Sequence, residues 1–132
     1  MAMSWSLTDT AEGSIYTVLG FVTGRDAERL RGATDWVLAH TETVILDLHE
    51  LQGCSTEGQD ALGACAERLG SSTILYLPEP DHLQLWDKRL LAAPRAHKLT
   101  AAYAALNLLK SRNARRQAAT SGPTVGAGTP TA

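Results

Sequence analysis

The chain has 132 residues, the size of one domain, so a single hydrophobic core is expected. With 44% apolar and 20% charged residues it reads as an ordinary water-soluble globular protein, and no apolar run reaches the roughly 18 residues that mark a membrane span. The formal charge of 12 − 14 = −2 argues against a dedicated nucleic-acid binder, yet it is a cancellation: residues 1–94 hold all 14 acids and six bases (net −8), and residues 95–132 hold six bases and no acid (net +6). Met1 to Leu7 lacks the basic region and apolar run of a secretory signal, so a cytoplasmic protein is expected.

Taken in chain order, Met3, Trp5 and Leu7 alternate with Ser4, Ser6 and Thr8, the pattern of a half-buried edge strand. A turn at Glu12-Gly13-Ser14 leads to the β-branched and aromatic run Ile15 to Val22, which completes a hairpin; Gly20 within it marks a bulge or a close backbone approach. Thr23 to Asp26 opens a helix ending near His40, with Ala27, Leu30, Thr34, Val37 and Leu38 as its apolar stripe. Val44 to Leu48 reads as a central parallel strand covered on both faces. His49 to Ser55 is a loop. A second helix follows, with Gly58, Ala61, Leu62, Cys65 and Leu69 inward, Thr56 and Gln59 at capping-box spacing, and Gly70 as its end.

Thr73 to Leu77 is another buried strand, stopped by Pro78-Glu79-Pro80. Asp81 caps a third helix with Leu83, Trp86, Leu90 and Leu91 inward, and Pro94 ends it. An Ala-rich fourth helix turns Leu99, Ala102, Tyr103, Leu106 and Leu109 to one side, buried on the domain or in a homodimer. Residues 118–132 are Ala, Thr, Ser, Gly and Pro with one larger apolar residue, Val125, and are expected to be disordered. The resulting order β-β-α-β-α-β-α-α implies an α/β sheet with mostly parallel interior strands and an antiparallel edge.

No nucleotide-binding loop, dinucleotide fingerprint or metalloprotease motif is present. The two cysteines, Cys54 and Cys65, read as reduced thiols; a helix joining them would hold them about 16 Å apart. The four histidines are scattered, so neither a metal nor a cofactor is expected. Asp47 and His49 stand at a strand end, as a polar pair or as the acid/base pair of a small enzyme or ligand binder. At the start of the second helix, free N–H groups and a partial positive charge meet a hydroxyl, Thr56, which is either a cap or a place for a phosphate. Lys98, Lys110, Arg112, Arg115 and Arg116 form a basic stretch. They read as favourable charges at a helix C-terminus, as a contact with the acidic domain or another copy, or as a nucleic-acid or membrane contact.

The segment Leu46 to Leu62, LDLHELQGCSTEGQDAL, together with the succession of elements, resembles a STAS domain, the fold of anti-sigma factor antagonists (anti-anti-sigma factors). In that family a strand of the type LDLS leads into CDSSGLNALL. Laid on without gaps, Cys54 precedes the family Asp, Ser55 replaces that Asp, Thr56 falls on the first Ser, Glu57 on the second, and Gly58 on the Gly. IYTVLGFVTGRDAERLR resembles the hairpin strand and turn into the first helix, and Arg95 to Lys98 is the room left for the family's last short strand.

The resemblance implies an α/β STAS-like mixed sheet of about four strands in residues 1–95, followed by a basic amphipathic helix over 96–117 and a tail over 118–132. It also implies a cytoplasmic bacterial regulator of transcription, not an enzyme, with Thr56, or Ser55 in its place, as phosphoacceptor. Its partners would be an anti-sigma factor kinase and a resetting phosphatase, with no direct DNA or membrane binding. Cys54, Ser55, Thr56, Glu57, Gly58 and Gln59 would form the partner surface. Gln59 stands where the family packs a Leu. Glu57 is a harmless surface change, an imitation of the phosphorylated state, or the sign of a degenerate scaffold that is not phosphorylated.

Overall fold

A computed structural model of the chain describes the backbone of residues 2–77 and 87–128, and side chains through residue 116, Ser72 apart. Strands β1 (Ser4–Thr10) and β2 (Gly13–Val22) form the leading hairpin, paired antiparallel from Ser4↔Leu19 to Thr10↔Gly13. β3 (Val44–Asp47), β5 (Thr73–Tyr76) and β6 (Arg95–Ala96) extend the sheet in parallel from β2, in the order β1-β2-β3-β5-β6. β4 (Leu51–Cys54) pairs in parallel with the far end of β2. Gly20 has φ +86 and sits at a register shift between β2 and β4, the irregularity its place in the strand suggested.

The sheet is therefore mixed and α/β, as expected, but among the described residues it has six strands where about four were expected. The two additions are β4, inside the stretch read as a loop, and the two-residue β6, which lies in the room left at Arg95 to Lys98 for the family's last short strand. Neither LQGC nor RA carries apolar alternation or a β-branched residue, so pairing is imposed by the neighbouring strands and not by local preference.

Helices cover both faces. α1 (Ala27–His40) and α2 (Thr56–Leu69) enclose the larger core with Tyr16, Val18, Leu46 and Leu75; Tyr16 is fully buried and its hydroxyl lies 3.2 Å from that of Thr34. α1 is turned slightly from the expected stripe: Ala33 is buried and Leu38 is exposed. α4 (Leu99–Gly128) covers the opposite face, where Ala102, Leu106 and Leu109 pack on Ile45 and Ile74, so the expected burial of that helix occurs on the domain itself. α4 runs past residue 117, where the tail was expected to begin. The described part of the third helix is α3 (Lys88–Leu91), capped by Asp87; the expected cap Asp81 and the residues Leu83 and Trp86 lie outside the described residues. No helix of the described residues is long and apolar enough to cross a membrane.

Candidate functional site

The junction between β4 and α2 is fixed by the end of β2. Val22 pairs with Cys54, and the Val22 carbonyl accepts the Ser55 N–H at 2.9 Å. The same carbonyl is so close to α2 that a Cβ on Gly58 would lie 2.0 Å from it. A glycine is required there by space, because the first turn of α2 rests directly on the β2 backbone. Across the junction, Gly24 makes room for Glu57: a Cβ on Gly24 would lie 2.9 Å from that of Glu57. The turn holding Gly24 is a 3-10 helix (Gly24–Asp26) closed by a capping box between Thr23 and Asp26.

The cap of α2 is Ser55, not Thr56. Ser55 is extended (φ −72, ψ 173) and its Oγ accepts the Gly58 N–H at 3.0 Å. The capping box expected between Thr56 and Gln59 does not form, because the Val22–Ser55 bond sets the helix start one residue earlier. Thr56 becomes the first helical residue. It is exposed, and among the described residues its hydroxyl has no side-chain hydrogen bond. Glu57 is exposed beside it, Cys54 and Ser55 are half-buried, and Gly58 is buried. Thr56 thus places an exposed hydroxyl at the positive end of a 14-residue helix, separate from the cap that Ser55 makes.

Gln59 is fully buried and faces inward. Its Oε1 accepts the Asp87 N–H at 2.7 Å, and its amide lies 3.9 Å from the Cys54 sulfur. Asp87 in turn caps α3, and Arg89 bridges back to Asp60 Oδ1 at 2.6 Å and Asp87 Oδ2 at 2.8 Å. The Arg89 side chain holds the Asp87 carboxyl below the usual carboxylate range. The four residues form a clasp between α2 and α3. Its one signal in the sequence was a polar residue, Gln59, on the apolar side of a helix. As a partner-surface candidate, Gln59 contributes support from within and no exposed atom.

The remaining candidates make contacts within the fold. Cys54 and Cys65 are both free; Cys54 lies in β4 and Cys65 is buried in α2. Burial pushes both thiols up, away from the reactive thiolate. Asp47 is buried; its Oδ1 accepts both the His49 N–H (2.9 Å) and the ring Nδ1 (2.5 Å), and its Oδ2 accepts the Thr17 hydroxyl (3.3 Å). That carboxylate closes the β3–β4 bend, and the His49 ring leans on Tyr76. Among the described residues no group of three or more His, Cys, Asp or Glu side chains could hold a metal ion. Of the basic stretch, Lys110 donates to the Glu12 carbonyl at 3.2 Å.

No family profile and no curated protein sequence matches the chain. Solved structures do. An anti-sigma factor antagonist from Mycobacterium paratuberculosis superposes with a TM-score of 0.63 at 19% identity, covering 80% of this chain and 95% of that one. A protein of the DUF3478 family from Shewanella loihica, with a SpoIIAA-like fold, gives 0.54 at 16% identity over 79% and 93%. The anti-sigma factor antagonist SpoIIAA in its unphosphorylated form gives 0.50 at 16% identity over 72% and 87%. The chain has the STAS-like fold of the anti-sigma factor antagonists.

Proposed function

We propose that the chain is a regulatory binding module of the anti-sigma factor antagonist type, switched by phosphorylation at Thr56, and not itself an enzyme. The observation that carries this reading is the division of labour between two adjacent hydroxyls. Ser55 is occupied as the α2 cap, whereas Thr56 stands exposed on the first turn with no side-chain hydrogen bond among the described residues. In the unmodified form the loop from Cys54 to Glu57 and the start of α2 dock on a kinase-type anti-sigma factor and release the sigma factor it holds, which regulates transcription indirectly. A phosphate on Thr56 adds about −1.5 to −2 charge. Beside Glu57 that charge meets a carboxylate already present, so repulsion and desolvation break the complex. A phosphatase resets it.

The exposed Glu57 favours one second reading, a scaffold that binds without being phosphorylated, in which the carboxylate stands permanently where a phosphate would come and go. The two part in one experiment. The chain is incubated with ATP and each kinase-type anti-sigma factor of its host, and the phosphate is mapped by mass spectrometry. Modification at Thr56, lost in Thr56→Ala and kept in Ser55→Ala, supports the switch. Stable binding without modification supports the scaffold. Phosphate confined to residues other than Ser55 and Thr56 overturns the site.

A further inference from the structure

α4 carries a second ordered face. Opposite the side packed on Ile45 and Ile74, residues Ala101, Ala104, Leu108, Arg112 and Arg115 are all exposed. They follow one another at steps of three, four, four and three, which places them along one face of the helix. Leu108 is 67% exposed, more than any other large apolar side chain among the described residues. Arg112, Arg115 and the adjacent Arg116 make no ion pair or side-chain hydrogen bond among the described residues, and residues 95–132 contain no acid to neutralise them. Beside this face, between α2, α3 and α4, opens a cavity of about 420 Å³ with Ala93, Pro94 and Leu109 on its walls and Arg112 at its edge.

We propose that this face docks an amphipathic helix of a partner protein, with an aliphatic seam and carboxylates on its flanks. The alanines let a second backbone approach, Leu108 supplies the apolar anchor, and the arginines supply a charge complementary to an acidic partner. A second copy of α4 fits poorly, since parallel pairing sets arginine against arginine and antiparallel pairing sets arginine against alanine. A phosphate polymer or a lipid surface has no use for the Ala101–Ala104–Leu108 stripe, and one leucine is too little apolar area to insert in a bilayer. The face lies across the sheet from the β4–α2 junction, so it is independent of the Thr56 switch and both sites can be occupied together.

The test uses the full chain and two labelled peptides of about 28 residues with the same leucine seam, one flanked by Glu and one by Lys. Fluorescence anisotropy is read at about 50 mM and about 300 mM salt. The Glu peptide is expected to bind roughly tenfold tighter than the Lys peptide at low salt, with the preference shrinking at high salt. Leu108→Ser should weaken it about tenfold with no change in melting temperature, and Arg112→Glu with Arg115→Glu should reverse the preference. Equal binding of the two peptides, binding of neither, or indifference to Leu108→Ser overturns the proposal. So does a free chain that is dimeric until Leu108→Ser dissociates it, or tighter binding to anionic vesicles than to the Glu peptide.

Discussion

Replacing Gly58 by Ala tests how closely α2 rests on β2. The added Cβ would lie 2.0 Å from the Val22 carbonyl oxygen, whereas real Cβ atoms essentially never come within 3.0 Å of a neighbour, so about 1 Å of movement is forced on a contact between two backbones. Overpacking of this kind costs about 1–3 kcal/mol. The movement also strains the Val22–Ser55 hydrogen bond, worth about 1 kcal/mol, while alanine's higher helix propensity returns up to about 1 kcal/mol. With the full propensity gain returned, the net loss is about 1–3 kcal/mol, or a melting temperature lower by about 4–12 °C in a domain of this size. Gly32 is the control. It lies exposed in the middle of α1 with nothing within 4 Å of its added Cβ, so Gly32→Ala should gain about 0.5–1 kcal/mol and melt a few degrees higher. Both are read by thermal melts followed by circular dichroism. A Gly58→Ala protein that melts at or above the temperature of the unmodified chain refutes the close approach, and with it the geometry that makes Ser55 the cap.

Ser55→Ala should cost about 1 kcal/mol through loss of the cap, whereas Thr56→Ala should stay within about 0.5 kcal/mol; the reverse order in urea titrations would return the cap to Thr56. Leu106→Ala, at a fully buried position against the second core, should destabilise by about 2–5 kcal/mol, and a change under about 1 kcal/mol would mean that α4 is not anchored there. Because the folded Asp87 carboxyl titrates below its ordinary value of 3.8, its stabilisation is present above about pH 4 and is lost as pH falls through the folded value. Asp87→Asn should therefore be less stable than the unmodified chain at pH 7 and approach it near pH 2; a gap that stays constant across that range would show that Arg89 does not hold the carboxylate.

The elements that could be read from the residues are those whose own pattern decides them. Met3, Trp5 and Leu7 against Ser4, Ser6 and Thr8 give β1, and the spacing of Ala61, Leu62, Cys65 and Leu69 gives the inner face of α2. What could not be read was decided elsewhere in the chain. β4 exists because the end of β2 offers it hydrogen bonds, with a register shift at Gly20 that no window around Leu51 contains. The helix start moved by one residue because Val22, 33 positions away, captures the Ser55 N–H. The expected partner surface includes Gln59, although the family packs a Leu at that position; it is interior, and its Oε1 accepts the N–H of Asp87, 28 positions away, a partner no local window shows. At the candidate site the position of the hydroxyls was legible, but which of them is free was not.

The placement of α4 bears on where the chain can be cut. A boundary drawn by charge at residue 95 passes through β6 and separates Ile45, Ile74 and Tyr76 from the helix that shields them. A fragment ending there would leave β-branched and aromatic residues of β3 and β5 open to water on one whole side of the sheet. Such a surface invites other strands and aggregates. The cationic segment is thus half of a two-sided fold, and its charge rides on a structural part that the acidic half cannot do without.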